Sequence, residues 1–174
     1  MTGTKAMKIA KNHRFKPNRK LSLTIQYAVQ SSPLPRGRLL KRWVKAALQY
    51  STRCASITLR MVSEEEGRKI NCEYRHKDYA TNVLTFVLHD TTHEKQSSLL
   101  FGDIILTIPV IEAEAKERKL PLEAHFAHLV IHGMLHLQGY THDDEDNANA
   151  MEALEISILQ KLGYANPYFL QNER

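Results

Sequence analysis

The stretch His132-Gly-Met-Leu-His136-Leu-Gln-Gly-Tyr-Thr-His142 constrains this chain more than any other. Its apolar positions recur with helical period, so His132 and His136 project from one face of a helix, roughly 6 Å apart along the axis. Two imidazoles at that spacing can bind one metal ion. Gly139 can end the helix in the left-handed conformation that a Cβ resists, and the reversal brings His142 toward the same ion. Three neutral imidazoles leave a Zn²⁺ with its double positive charge and one open position, the arrangement that lowers the pKa of bound water to about 7. His125 and His128 lie on the same helix, and helical spacing alone also admits a His128/His132 pair. Only the later set has a glycine-permitted reversal to deliver a third ligand from outside the helix.

The pattern H-x3-H-x2-G-x2-H resembles the zinc signature of metzincin proteases, with one departure. Those enzymes carry a Glu directly after the first His as general base, and this chain has Gly133. Peptide hydrolysis thereby loses most of its support.

Charge is distributed unevenly. Residues 1–60 hold 14 of the 24 Lys and Arg and no acid, whereas the remainder holds 10 against all 19 Asp and Glu. A polyanion gripped by the first third would account for that polarity, and its binding would be salt-dependent. A chain of 174 residues at 43% hydrophobic can bury the core of one domain. Cys54 and Cys72 match no C-x-x-C pattern and have no metal-ligand spacing to the histidines, which suits a reduced, cytoplasmic chain. No apolar run reaches the length of a membrane span or a signal-peptide core, so no membrane partner is expected.

Residues 1–20 read as a basic, flexible arm, 21–168 as a single domain and 169–174 as a short tail. Leu21 to Val29 alternate apolar and polar, as a half-buried strand does. Ser31-Ser32-Pro33 breaks that strand, and Pro35 opens a helix with Leu39, Leu40, Trp43, Val44, Ala47 and Leu48 on one side and Arg36, Arg38, Lys41, Arg42 and Lys45 on the other. Ile57, Leu59 and Met61 mark a second strand. Ser63 with Glu66 forms a capping box for a helix to about Cys72. Residues 74–80 then read as a charged loop, 81–88 as a third strand, 89–98 as an exposed loop, and 99–108 as a fourth strand interrupted at Gly102-Asp103 by a bulge or a close backbone approach. Three helices follow, begun near Pro109, Pro121 and Asp143-Asp144, the last ending at Gly163. The expected fold is α+β: a small mixed four-stranded sheet with about five helices, its metal site at a C-terminal helix and the loop after it. Connections through the first two helices favour parallel neighbours, and the loop between strands three and four allows an antiparallel pair.

From about Leu21 to Tyr168 the chain resembles the YbeY family of bacterial endoribonucleases and rRNA maturation factors. The resemblance rests on 132–142 with the preceding Pro121 to Val130, on Tyr74-Arg75-x-Lys77-Asp78 leading to Thr81-Asn-Val-Leu-Thr-Phe86, on Gly102-Asp103-Ile104, and on Met151-Glu152-x-Leu154-Glu155 with Leu162-Gly163-Tyr164. It implies one Zn²⁺ on His132, His136 and His142, a functionally important Arg75, and cleavage of single-stranded RNA in maturing the 3′ end of small-subunit rRNA and in ribosome quality control. It also implies a ribosome or small-subunit protein as partner, and a ribosome-assembly GTPase as a further one. Family members usually carry Asp where this chain has Thr141, so a carboxylate orienting a ligand is absent there unless Asp143 or Asp144 takes its place. Arg75 would donate bidentate hydrogen bonds to phosphate, with Lys77, Arg36, Arg38 and Lys41 as further candidate RNA contacts. With Gly133 where a base would stand, attack by the substrate's own 2′-hydroxyl is as admissible as attack by water. Two other readings remain: an assembly factor that holds rRNA around a structural zinc without cutting, and a protease with a relocated base.

Overall fold

In this computed structural model the described residues are 20–30, 33–52, 54–88 and 99–169. The arm expected over residues 1–20, apart from Lys20, lies outside them, as do Ser31-Ser32, the loop at 89–98 and the tail after Phe169. Among the described residues there are five helices and a four-stranded mixed sheet.

Lys20 is the first residue of β1 (Lys20–Tyr27), not the end of an arm, and Leu21, Leu23 and Ile25 turn their partly buried side inward. Helix α1 (Gly37–Ala47) buries Leu40, Trp43, Val44 and Ala47, and carries the chain over to β2 (Cys54–Val62), which pairs parallel with β1. The hydroxyl of Ser63 accepts the Glu66 backbone N–H at 3.2 Å and starts α2 (Glu64–Arg75). Here the structure corrects the charged loop. The helix runs past Cys72 through Tyr74 and Arg75, because His76 takes up the left-handed conformation at φ 58° and its N–H reaches back to the last carbonyls.

The strand order is β1-β2-β4-β3. The parallel neighbour of β2 is therefore β4 (Leu99–Thr107), and β3 (Val83–Val87) lies outside it, antiparallel, at the sheet edge. The expectation of a parallel pair across α2 fails for a physical reason. Strand β4 is apolar on both faces over Ile104, Ile105 and Leu106, all buried, so it takes an inner position that the shorter β3 could not fill. No bulge interrupts β4 at Gly102, which stays in register with Ile57 and Val87. The close approach is the realised option, since a Cβ on Gly102 would stand 2.7 Å from Leu137 Cδ2.

Helix α2 covers one face through Ile70 over Val62, Leu84 and Ile105. The other face carries the main core, to which α1, α3 (Ile108–Glu117), α4 (Leu122–Leu137) and α5 (Glu145–Leu162) all contribute. Helix α4 is its axis, touching α1, α3, α5, β3 and β4. Cys54 and Cys72 are unpaired. No helix among the described residues is long and apolar enough to cross a membrane.

Candidate metal centre

Gly133 packs directly on the sheet, where a Cβ would stand 3.2 Å from Ile104 and Thr85 side-chain atoms. His132 and His136, one turn apart on the same helix, are only half-buried. The end of the helix is pinned by the Gln138 amide. Its Nε2 donates to Ala47 O at 2.9 Å, and its Oε1 accepts the Gln49 N–H at 2.8 Å. Gly139 then adopts φ 96°, and Tyr140 N donates to Leu135 O at 3.1 Å. The chain reverses there and returns His142.

The three rings converge. Their centroids lie 4.5 Å apart for His132 and His136, 4.8 Å for His136 and His142, and 5.0 Å for His132 and His142. One ligand atom from each falls within 4.8 Å of the others, and the exposed His142 leaves the cluster open to solvent.

Hydrogen bonding decides what those atoms offer. His132 Nδ1 lies 2.6 Å from Glu155 Oε1, and His136 Nδ1 lies 2.9 Å from Tyr140 O. A carboxylate and a carbonyl only accept, so both Nδ1 atoms carry hydrogen and both Nε2 atoms present lone pairs. Those two Nε2 atoms are 3.0 Å apart. Two imidazole nitrogens at that separation can share a cation, since a tetrahedral site with metal–nitrogen bonds of about 2.0–2.1 Å has ligand edges of roughly 3.3 Å. Burial pushes His136 below its ordinary pKa despite its bond to Tyr140 and the nearby Glu155. It is thus neutral and able to ligate at neutral pH. The donor set fits a divalent cation that accepts imidazole nitrogen.

The rival histidines are engaged elsewhere. His125 Nε2 lies 2.8 Å from Glu114 Oε2, and His128 Nε2 lies 3.0 Å from Glu155 Oε2. His128, His132 and Glu155 also approach within metal-binding range of one another, but each is already hydrogen-bonded within that group.

Three other candidate positions lie apart from the histidine partners. Asp144 caps α5, its carboxylate accepting Asn147 N–H at 2.8 Å. Asp143 is exposed and Thr141 half-buried, while the bonds to the histidines come from Glu155 and Tyr140. The carboxylate that bonds a histidine of the cluster is Glu155 of α5, which meets His132. Glu155 is fully buried. Burial would push its carboxyl up, but hydrogen bonds from His128 and His132 and their charges outweigh this and hold it down to about 2. A readable signal existed: Glu155 is the one acid in the apolar stripe Met151, Leu154, Ile158, Leu159.

Arg75 is exposed at the end of α2 and makes no ion pair or hydrogen bond among the described residues. The ring of the preceding Tyr74 packs edge-on against Phe86 at 5.1 Å, fixing that helix end on the α2-covered face of β3, opposite the face on which Thr85 meets Gly133. Lys77 is exposed just beyond. Arg36 caps α1, Arg38 and Lys41 belong to its first half, and Arg36 lines a hollow with Glu123 and Phe126. Phe126 precedes His136 by ten helical residues, about 15 Å, so the structure does not gather Arg36 at the cluster.

The family model for endoribonuclease YbeY matches residues 26–163. The endoribonuclease YbeY of Laribacter hongkongensis is 48% identical over 167 residues, spanning 95% of this chain and 100% of that protein. That of Nitrosospira multiformis is 49% identical over 158 residues, spanning 86% and 82%. The fold is similar to the solution structure of a Thermotoga maritima protein, with a TM-score of 0.52 at 22% identity over 80% of this chain and 92% of that one.

Proposed function

This chain belongs to the endoribonuclease YbeY family, and from that premise we propose that it is a zinc-dependent endoribonuclease whose His132, His136 and His142 hold one Zn²⁺. Its substrate is single-stranded RNA, cut in the cytoplasm during maturation of the small-subunit rRNA 3′ end and in ribosome quality control. A ribosomal or small-subunit partner and an assembly GTPase present that substrate.

One observation carries the reading: the His132 and His136 Nε2 atoms face each other at 3.0 Å while both Nδ1 atoms are committed to acceptors. Zinc bound there supplies Lewis acidity to a phosphoryl oxygen and lowers the pKa of water. The chain's own residues do the rest. Arg75, with no partner among the described residues, donates two parallel hydrogen bonds to the phosphate and stabilises the charge that develops on it. Lys77 adds a point charge for the backbone. Both Glu155 oxygens are occupied by His128, His132 and Tyr168, so this carboxylate orients ligands and is not free as a base toward substrate. The ends of the products identify the nucleophile, a 2′,3′-cyclic phosphate marking attack by the RNA 2′-hydroxyl and a linear phosphate marking water.

Metal-loaded protein, metal-stripped protein and a His132→Ala variant, incubated with naked single-stranded RNA and with rRNA precursor, test the reading. Cleavage by the loaded wild type alone is the expected result. Equal cleavage by all three would sink it, and full biological function in a folded, non-cleaving variant would favour the assembly-factor role. Arg75→Ala is expected to lower kcat about 10²- to 10³-fold at unchanged metal affinity.

A further inference from the structure

Behind the three histidines lies a hydrogen-bonded group of side chains centred on Glu155. Glu155 Oε1 accepts from His132 Nδ1 at 2.6 Å, Oε2 faces His128 Nε2 at 3.0 Å, and the Tyr168 hydroxyl donates to the same Oε2. His128 and Tyr168 also touch each other, with Nε2 3.1 Å from the hydroxyl and the rings edge-on at 5.3 Å. Glu155 and His128 are buried. The four groups come from α4, α5 and the turn after α5.

Delivery of Tyr168 is built into that turn. Gly163 ends α5 in the left-handed conformation at φ 92°. Arg118 Nη2 donates to Pro167 O at 3.0 Å, and Asn166 Oδ1 accepts the Tyr168 N–H at 2.9 Å. The chain after the last helix is thereby tied to α3 and folded back over Glu155.

A carboxylate bridging two imidazoles can only accept from both, so its position dictates which nitrogen of each carries hydrogen. We propose that Glu155, His128 and Tyr168 are positioning residues that lock His132 in the Nδ1–H tautomer, so that its Nε2 lone pair is preset toward His136 and His142 before any cation arrives. The inference rests on the metal-centre reading above and deepens it: the segment at 163–168 is a working part of the site. The negative charge of Glu155 strengthens His132 as a donor, while His128 and Tyr168 hold both carboxylate oxygens in place. Glu155→Gln has nearly the same shape but one accepting oxygen and one donating nitrogen. It can accept from only one of the two histidines and forces the other toward the wrong tautomer.

The test reads Zn²⁺ affinity by competition with a chromophoric chelator and, in metal-free protein, the His132 ring tautomer by ¹⁵N NMR. The proteins are wild type, Glu155→Gln, Tyr168→Phe and, as control, Glu114→Gln, which disturbs the His125 pair outside this group. The expected result is an Nδ1–H His132 in the wild type and a loss of about 10- to 100-fold in Zn²⁺ affinity in Glu155→Gln with a mixed tautomer. A smaller loss in the same direction is expected in Tyr168→Phe, and no change in the control. Wild-type affinity and an unaltered tautomer in both Glu155→Gln and Tyr168→Phe would overturn the proposal. Should Glu155→Gln fail to fold, Tyr168→Phe decides by the same two readouts. A wild type that binds no Zn²⁺ refutes the metal-centre reading, and the metal-free tautomer then decides the lock by itself: Nδ1–H upholds it and Nε2–H overturns it.

Discussion

Gly133 stands where a metzincin carries its general base, and packing explains why no carboxylate stands there. Its Cα faces Ile104 and Thr85 so closely that even a methyl group would press on them at 3.2 Å. A Glu would have to bury its charge against the sheet. Gly133→Glu is therefore expected to cost at least about 2 kcal/mol in urea denaturation and to confer no peptidase activity; a stable variant that cleaves peptides would contradict this. The three histidines were legible from spacing because helical period and a reversal-permitting Gly139 are local properties. Glu155 was not assigned a role, because its bond to His132 crosses 23 residues and depends on how α5 docks. Arg75 was readable as a residue but not as a position. Its place at a helix end depends on His76 accepting a left-handed conformation, which an unaided reading of a non-glycine residue does not anticipate.

Among the elements, the turn after α4 carries the most information. A Cβ at Gly139 would meet nothing within 4 Å, yet φ there is 96°. The cost of replacing it is thus conformational alone. Gly139→Ala is expected to lose about 1–2 kcal/mol and to weaken Zn²⁺ binding as the reversal relaxes and His142 withdraws. Gly139→Asn is expected to lose less on both counts, because Asn tolerates this region better. Equal losses in denaturation and chelator titrations would refute the argument. At the start of α2, Ser63→Ala is expected to cost about 1 kcal/mol of stability through loss of the bond to Glu66 N–H. Element types were largely legible from period and capping residues. Their order in the sheet was not, since the apolarity of β4 on both faces, more than the connection through α2, sets which strand lies inside.

At the scale of the whole molecule, Glu114 joins three elements, accepting from Asn82 before β3 and pairing with His125 of α4 from its place on α3. Burial alone would push its carboxyl up, but hydrogen bonds from His125 and Asn82, with the charges of His125 and Arg118, leave it below the usual value of 4.5. A folded value below the unfolded one stabilises the fold at pH above about 4.5, and that contribution is lost as pH falls through the lowered value. Metal-free protein should therefore lose stability on acidification below about pH 4.5, more steeply than Glu114→Gln does in parallel denaturation curves. In this reading one ion is held by His132, His136 and His142, with the Glu155 group behind it as support. X-ray absorption of the protein loaded with one equivalent of Zn²⁺ tests it most directly. The expected result is a shell with three imidazole nitrogens at about 2.0–2.1 Å, reduced by one imidazole in His142→Ala. A shell of two imidazoles and a carboxylate, unchanged in His142→Ala, would assign the ion to His128, His132 and Glu155 and contradict the account.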